Sequence, residues 1–333
     1  MAKRLLALCG LVGVSLLVLE LLVRLSGIAA HLYTEPSFEV SPGGDYWRYL
    51  PRFEGRVLGP TNASIGPLGS RLAPGENVDG TLRVGVFGDS ITFGQGVDAD
   101  ATFCAVLERR LRPRWPQLHV LNFGVPGHSL AMEVAHLADR ARDVSCAVVM
   151  LVFGSDDLNP SRADNHVDGF GYLTKKTFGP PSPLRDWTRA LLRQSHVTLA
   201  AKEAYLRRTA PAVAGATAAS ARTPGFEAAL AELRAALTRF DALTRDRGRI
   251  VMCADLRETP LTRAIAQVMH DEFSALPYIH APATLGTQPL EALRVPRDGH
   301  PNARAHGLFA DLLAPALTTA LERATAAAAA SAS

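Results

Sequence analysis

The spacing of apolar positions along this chain changes several times, and the changes divide it into elements. The stretch from Val84 opens as a short apolar run with β-branched residues, the pattern of a buried strand over about 82–88. It breaks into the polar turn Gly88-Asp89-Ser90. A helix over about 101–112 follows and is stopped by Pro113, which has no amide proton for a helix interior. A second strand, 119–123, runs into Gly124-Val125-Pro126-Gly127, and Met132, Ala135, Leu137 and Ala138 mark a helix over about 129–142. From Cys146 to Phe153 the chain is apolar throughout, which predicts a strand covered on both faces.

The pattern lapses over 159–222. Proline, glycine, aromatic and basic residues there precede an alanine-rich run from Ala210 to Ala221. So long a connection predicts an inserted lid, with some helix near 184–208. Helical spacing returns at Thr223-Pro224, an N-cap and first-turn proline, with Phe226, Leu230, Leu233, Leu237 and Phe240 on one stripe. Gly248 ends that helix. A strand over 249–254 and a shorter one near 277–281 follow. A last helix over about 302–324 turns Leu308, Phe309, Leu312, Leu313 and Leu317 inward, and the alanine-rich tail, 325–333, is expected to fray. Strands alternating with helices imply the α/β class, a three-layer α/β/α doubly wound parallel sheet.

The N-terminus has a different pattern. Lys3 and Arg4 precede an apolar span from Leu5 to Leu25, about 32 Å long as a helix and so able to cross a bilayer. Glu20 and Arg24 lie four apart at its far end, where they can pair and reach the interface. The positive end is expected to stay in the cytoplasm, which places the rest of the chain on the extracytoplasmic (periplasmic) side. We read residues 1–30 as an uncleaved membrane anchor; a signal peptide with a weak cleavage site near Gly27-Ile28-Ala29 is the competing reading, and both export the domain. Residues 31–80, rich in Pro, Gly, Ser and Asn with scattered aromatics, read as an irregular arm leading to a domain over 81–324.

Composition narrows the chemistry. With 47% hydrophobic residues and a formal charge of +3 over 333 residues, the chain can bury a large core. It shows no basic cluster interleaved with aromatics, so nucleic acid is not an expected partner. Cys9 sits too early in the apolar span to be a lipoprotein cysteine. Cys104, Cys146 and Cys253 are expected to be buried free thiols. No cysteine or histidine spacing suits a metal, and no cofactor is implied.

Serine-based ester chemistry needs a nucleophile, a base and a group to orient the base. Ser90 is the candidate nucleophile, presented at the carboxyl end of a strand, although Gly-Asp-Ser is also an ordinary turn sequence. His300, in Asp298-Gly299-His300-Pro301-Asn302 before the last helix, is the candidate base. Asp298 can turn back and accept from its imidazole.

At this point the chain resembles the SGNH/GDSL hydrolase family, in four blocks that occur in order. They are Gly88-Asp89-Ser90-Ile91-Thr92-Phe93-Gly94, Asn122-Phe123-Gly124-Val125-Pro126-Gly127, Gly154-Ser155-Asp156-Asp157-Leu158 and Asp298-Gly299-His300-Pro301-Asn302. The resemblance implies a Ser90, Asp298, His300 triad and an oxyanion hole from the N–H groups of Ser90 and Gly124 and the side chain at 156, with Asp89 and Asp157 in support. It also implies a substrate that is an acylated glycan, a lipid or a small ester.

Two positions depart from the family pattern. The acid stands two residues before His300 rather than three, where Arg297 is. Asp156 stands where the family places asparagine, and an ionised aspartate has no proton to donate. Asp156 could be held protonated beside Asp157, Asn159 could donate in its place, or the site could bind without catalysis. The alternatives to ester hydrolysis are therefore O-acyl transfer to a cell-surface polysaccharide and non-catalytic glycan binding. His128 could line the pocket, and Lys175-Lys176 reads as a solvated face.

Overall fold

The computed structural model describes residues 2–27, 34–57, 61–159, 162, 165–175, 182–209, 224–296 and 298–332. The proposed cleavage site, the run 210–221, Thr223 and Arg297 fall outside them, wholly or in part.

One eight-stranded sheet organises the domain. In chain order its strands are β3 (Glu54–Arg56), β4 (Asn62–Ile65), β5 (Arg71–Leu72), β6 (Leu82–Gly88), β7 (Leu118–Gly124), β8 (Val148–Phe153), β11 (Gly248–Cys253) and β12 (Tyr278–His280). In space the order is β12-β11-β8-β6-β7-β5-β4-β3. The five strands from β12 to β7 are parallel, and β8, β6 and β7 are the apolar runs of the sequence. They are buried on both faces because helices cover both.

On one face α4 (Leu130–Asp143), α7 (Pro224–Thr244) and α8 (Pro260–Glu272) pack Leu137, Leu233, Phe240 and Ile265 against Phe123 and Leu151. On the other, α3 (Phe103–Leu111), α9 (Ala281–Leu285) and α10 (Ala303–Ala332) pack Phe103, Leu285, Phe309 and Leu313 against Val84, Val120 and Met150. The three-layer fold is as expected. Cys104, Cys146 and Cys253 are buried and free.

Three expectations are corrected. Residues 34–80 are not an irregular arm: β3, β4 and β5 extend the sheet antiparallel from β7, through Arg71 opposite Asn122. A separate hairpin, β1 (Phe38–Val40) and β2 (Trp47–Tyr49), brings Phe38, Trp47 and Tyr49 onto Phe93 and Val125. The sheet is therefore mixed, and the scattered aromatics form a third core. Strands of two to four residues are too short to show a period. The tail does not fray at residue 325, since α10 runs on to Ala332, as alanine's helix propensity allows. Helix α8 was not foreseen; Thr259 caps it and Pro260 opens it.

The insert holds a hairpin of β9 (Asn165–Val167) and β10 (Leu173–Lys175), then α5 (Pro183–Gln194) and α6 (His196–Thr209). At the N-terminus α1 (Ala2–Ser26) has a mean hydropathy of 2.6 over its most apolar window and no buried residue, and is long and apolar enough to cross a membrane. Glu20 and Arg24 pair at 2.7 Å, as expected. They also reach the insert, a contact the sequence did not suggest.

Candidate active site

The four central parallel strands end level with one another. Gly88 lies opposite both Gly124 and Val152, and Cys253 lies opposite Phe153. The segments that leave these ends therefore gather along one edge, where open α/β sheets place their ligand crevice. A crevice of about 490 Å³ lies there, lined by Ser90, Asp156, Asp255, Arg257, Arg294 and His300 among others.

Ser90 opens the four-residue helix α2 (Ser90–Phe93), whose N-cap is Asp89; its Oδ1 accepts the Ile91 N–H at 2.8 Å. Gly124 lies directly beneath. A Cβ there would come within 2.1 Å of the Phe93 nitrogen, so only glycine lets α2 sit on β7.

His300 belongs to a loop pinned at several points. The Val295 N–H donates to the His300 carbonyl at 2.8 Å, and the Asn302 N–H to that of Leu293 at 2.8 Å. The Asn302 side chain then accepts the Ala305 N–H at the start of α10, at 3.1 Å. So held, His300 places Nε2 at 2.9 Å from Ser90 Oγ and Nδ1 in direct contact with Asp298 Oδ1. The short spacing between acid and base suffices because Gly299, at φ 90°, folds the chain back between them.

Electrostatics fix the charge states. Burial pulls the His300 imidazolium down, but the hydrogen bond and charge of Asp298, with Asp89 and Asp156 beyond, more than offset it and leave His300 above its ordinary value. Burial raises Asp298, and its contacts with His300 outweigh that and hold it below the usual carboxylate range. Ser90 Oγ also lies 3.0 Å from Asp89 Oδ2. The hydroxyl has one proton, so it donates to Asp89 while His300 is charged and is available to Nε2 once His300 is neutral.

Asp89, Asp156 and Asp157 converge beside the serine, close enough together to hold a cation. The guanidinium of Arg162 stands among them. Its Nη2 touches Asp156 Oδ2 directly and lies 3.1 Å from Asp157 and 3.3 Å from Asp89. Its Nη1 donates to the His128 carbonyl at 3.1 Å. Burial lowers Arg162, but the three carboxylates together raise it, so it stays charged.

Asp157 is fully buried and accepts the Gly154 N–H at 2.7 Å; burial and the charges of Asp89 and Glu133 push it well up. Glu133, from α4, is buried with neither carboxyl oxygen hydrogen-bonded among the described residues, and burial pushes it well up too. Asp156 differs. Burial and Asp89 push it upward and Arg162 opposes them. Its side chain is 67% exposed and accepts from Arg162.

The oxyanion donors are also rearranged. The Gly124 N–H is taken by Asn122 Oδ1 at 3.0 Å and is not offered to the crevice. Of the crevice-lining residues, Ser90 has an N–H with no partner among the described residues. Asn159 lines a separate cavity with Ser129 and Met132. His128 does not line the crevice: it is fully buried, burial lowers it to about 4, and its neutral ring donates from Nε2 to the Trp47 carbonyl at 2.7 Å. Sequence reasoning missed Arg162. The only signal was indirect, in that three acids at adjoining strand ends require a cation.

The fold and the site define a hydrolase of the α/β/α type. The chain belongs to the GDSL-like lipase/acylhydrolase family, whose model matches residues 86–308. A search of curated proteins returned no match. Among solved structures the chain is similar to a lipase/acylhydrolase from Enterococcus faecalis (15% identity, TM-score 0.42, covering 71% of this chain and 94% of that one). It is similar to an acetyl xylan esterase, AlAXEase (12%, TM-score 0.40, covering 70% and 98%). A third is LAE5, an α/β hydrolase from the metagenome of Lake Arreo, Spain (16%, TM-score 0.40, covering 74% and 98%).

Proposed function

We propose that the protein is a serine esterase that removes a short acyl group from a polar alcohol such as a glycan, on the outer side of the membrane in which α1 anchors it. The observation that carries this reading is the 2.9 Å contact between Ser90 Oγ and His300 Nε2, with His300 Nδ1 on Asp298.

In this reading neutral His300 takes the Ser90 proton as Oγ attacks the acyl carbonyl, and Asp298 holds the imidazole and stabilises the imidazolium. The oxyanion meets the N–H group of Ser90. Arg162 cancels the charge of Asp156, which would otherwise oppose the developing anion. His300 then gives its proton to the departing alcohol, and water repeats the sequence on the Ser90 ester. A short acyl group is favoured because polar Asp255, Arg257 and Arg294 line the crevice, where a long chain would need a continuous apolar wall.

The test is hydrolysis of nitrophenyl acetate and labelling by a serine-directed phosphonate. Wild type should turn over and be labelled, and Ser90→Ala should do neither. Labelling without turnover would favour transfer to a glycan hydroxyl over transfer to water. No labelling at all would favour binding without catalysis.

A further inference from the structure

Helix α5 carries its side chains the wrong way round for a helix of a water-soluble domain. Its inward face holds Asp186 and Ala190, both buried. Its outward face holds Leu184, Trp187 and Leu191, at spacings of three and four, exposed by 72%, 54% and 55%. Leu192 beside them is 51% exposed. Arg185, Arg189 and Arg193 lie along one flank of this stripe. Large apolar side chains in a row facing outward mark a surface that something covers.

The position of α5 identifies the cover. The joint between α5 and α6 is bonded to α1. Glu20 accepts the N–H groups of His196 and Val197 at 2.9 and 3.1 Å and the Ser195 hydroxyl at 2.8 Å, capping α6 at its positive end. Arg24 donates to the Gln194 carbonyl, the last residue of α5, at 2.7 Å. Glu20 lies about 22 Å along α1 from Leu5, near one boundary of a hydrocarbon layer roughly 30 Å thick. The C-terminal end of α5 is therefore held at that boundary, and α5 is only about 18 Å long.

We propose that α5 lies in the bilayer interface, with Leu184, Trp187 and Leu191 among the lipid chains and Arg185 and Arg189 at headgroup level. The insert is then a second membrane contact beside the anchor, and the pair fixes the domain at two points. The inner face of α5 is tied to the domain through Arg193, which stacks on Tyr172 and lies 3.5 Å from Asp168.

The inference rests on reading α1 as a bilayer span, and the test separates the two. The full chain and its Trp187→Phe variant are reconstituted into vesicles of phosphatidylcholine, either plain or brominated on the acyl chains. Flotation with the vesicles checks α1. The wild-type minus variant difference emission isolates Trp187, and should be blue-shifted, lose most of its intensity to the brominated lipid and resist aqueous acrylamide. Quenching by acrylamide but not by bromine would overturn the proposal by placing Trp187 in water. Protection from both would overturn it in favour of a protein cover, such as a second copy of the chain. If neither protein floats, the span reading fails and the proposal with it.

Discussion

Arg162 Nη2 and Asp156 Oδ2 are in direct contact at the mouth of the crevice, so the aspartate that breaks the family pattern meets a guanidinium from the start of the insert. The pair makes the departure at 156 intelligible as an exchange. A neutral amide donor is replaced by an anion and by a cation that reaches back six residues to neutralise it.

Asp156→Asn tests this exchange. The amide restores an N–H toward the oxyanion, and a single such donor is worth about 100- to 1,000-fold elsewhere. Part of that gain is offset by loosening Arg162, so kcat on nitrophenyl acetate should rise about tenfold. A fall in kcat would show that the ion pair itself is needed for turnover.

Removing Arg162 should act on stability as well as rate. Arg162→Ala leaves Asp89 buried without its counter-charge, a loss of about 3–5 kcal/mol for a broken buried pair. Adding Asp89→Asn should recover part of it in denaturant unfolding. No recovery would mean that Asp89 is not the acid Arg162 holds.

The rate should follow the ionisation of His300. Catalysis requires the neutral ring, and Asp298 raises the imidazolium above its ordinary value, so kcat/KM should climb with pH and level off above about 6.5, the unperturbed histidine value. Asp298→Asn removes a raising influence and should move that limb to lower pH. It should also cut kcat by about 10⁴, since the ring loses the partner that fixes its tautomer. A pH profile the variant leaves in place would assign the limb to another group.

Glu133 predicts a pH-dependent stability. Its carboxyl is pushed up by burial, so in the folded chain it keeps a proton that the unfolded chain gives up. Its contribution is complete below the unfolded carboxylate range and is lost as pH rises above it. Glu133→Gln should therefore match wild type near pH 4 and melt a few degrees higher near pH 8. Equal melting temperatures at both pH values would show that the carboxyl is solvated in the folded chain.

The legible parts of the sequence were those with long, unambiguous periods. Strands β6, β7 and β8 announce themselves because burial on both faces demands mostly apolar runs, unbroken over the six residues of β8. Ser90, Asp298 and His300 were legible because chemistry constrains them to strand ends and a loop before a helix. Strand β5 was not: two residues, one of them Arg71, carry no period, and Arg71 is placed by its bonds to the carbonyls of Phe93, Gly94 and Val97. The same holds for Arg162, whose partners lie in two distant blocks. Gly124 is a donor only by the resemblance; in the structure its N–H is on Asn122 and its missing Cβ admits α2.

The union of β3, β4 and β5 with the central sheet also limits where the protein can work. With those strands in the domain, the only stretch between the end of α1 and the hairpin strands that lies outside the described residues is 28–33. Six residues cover at most about 21 Å even at full extension. With α1 in a bilayer, Thr34 then stays within about that distance of the end of α1, so the covalent chain itself sets how far the start of the domain can stand from the lipid.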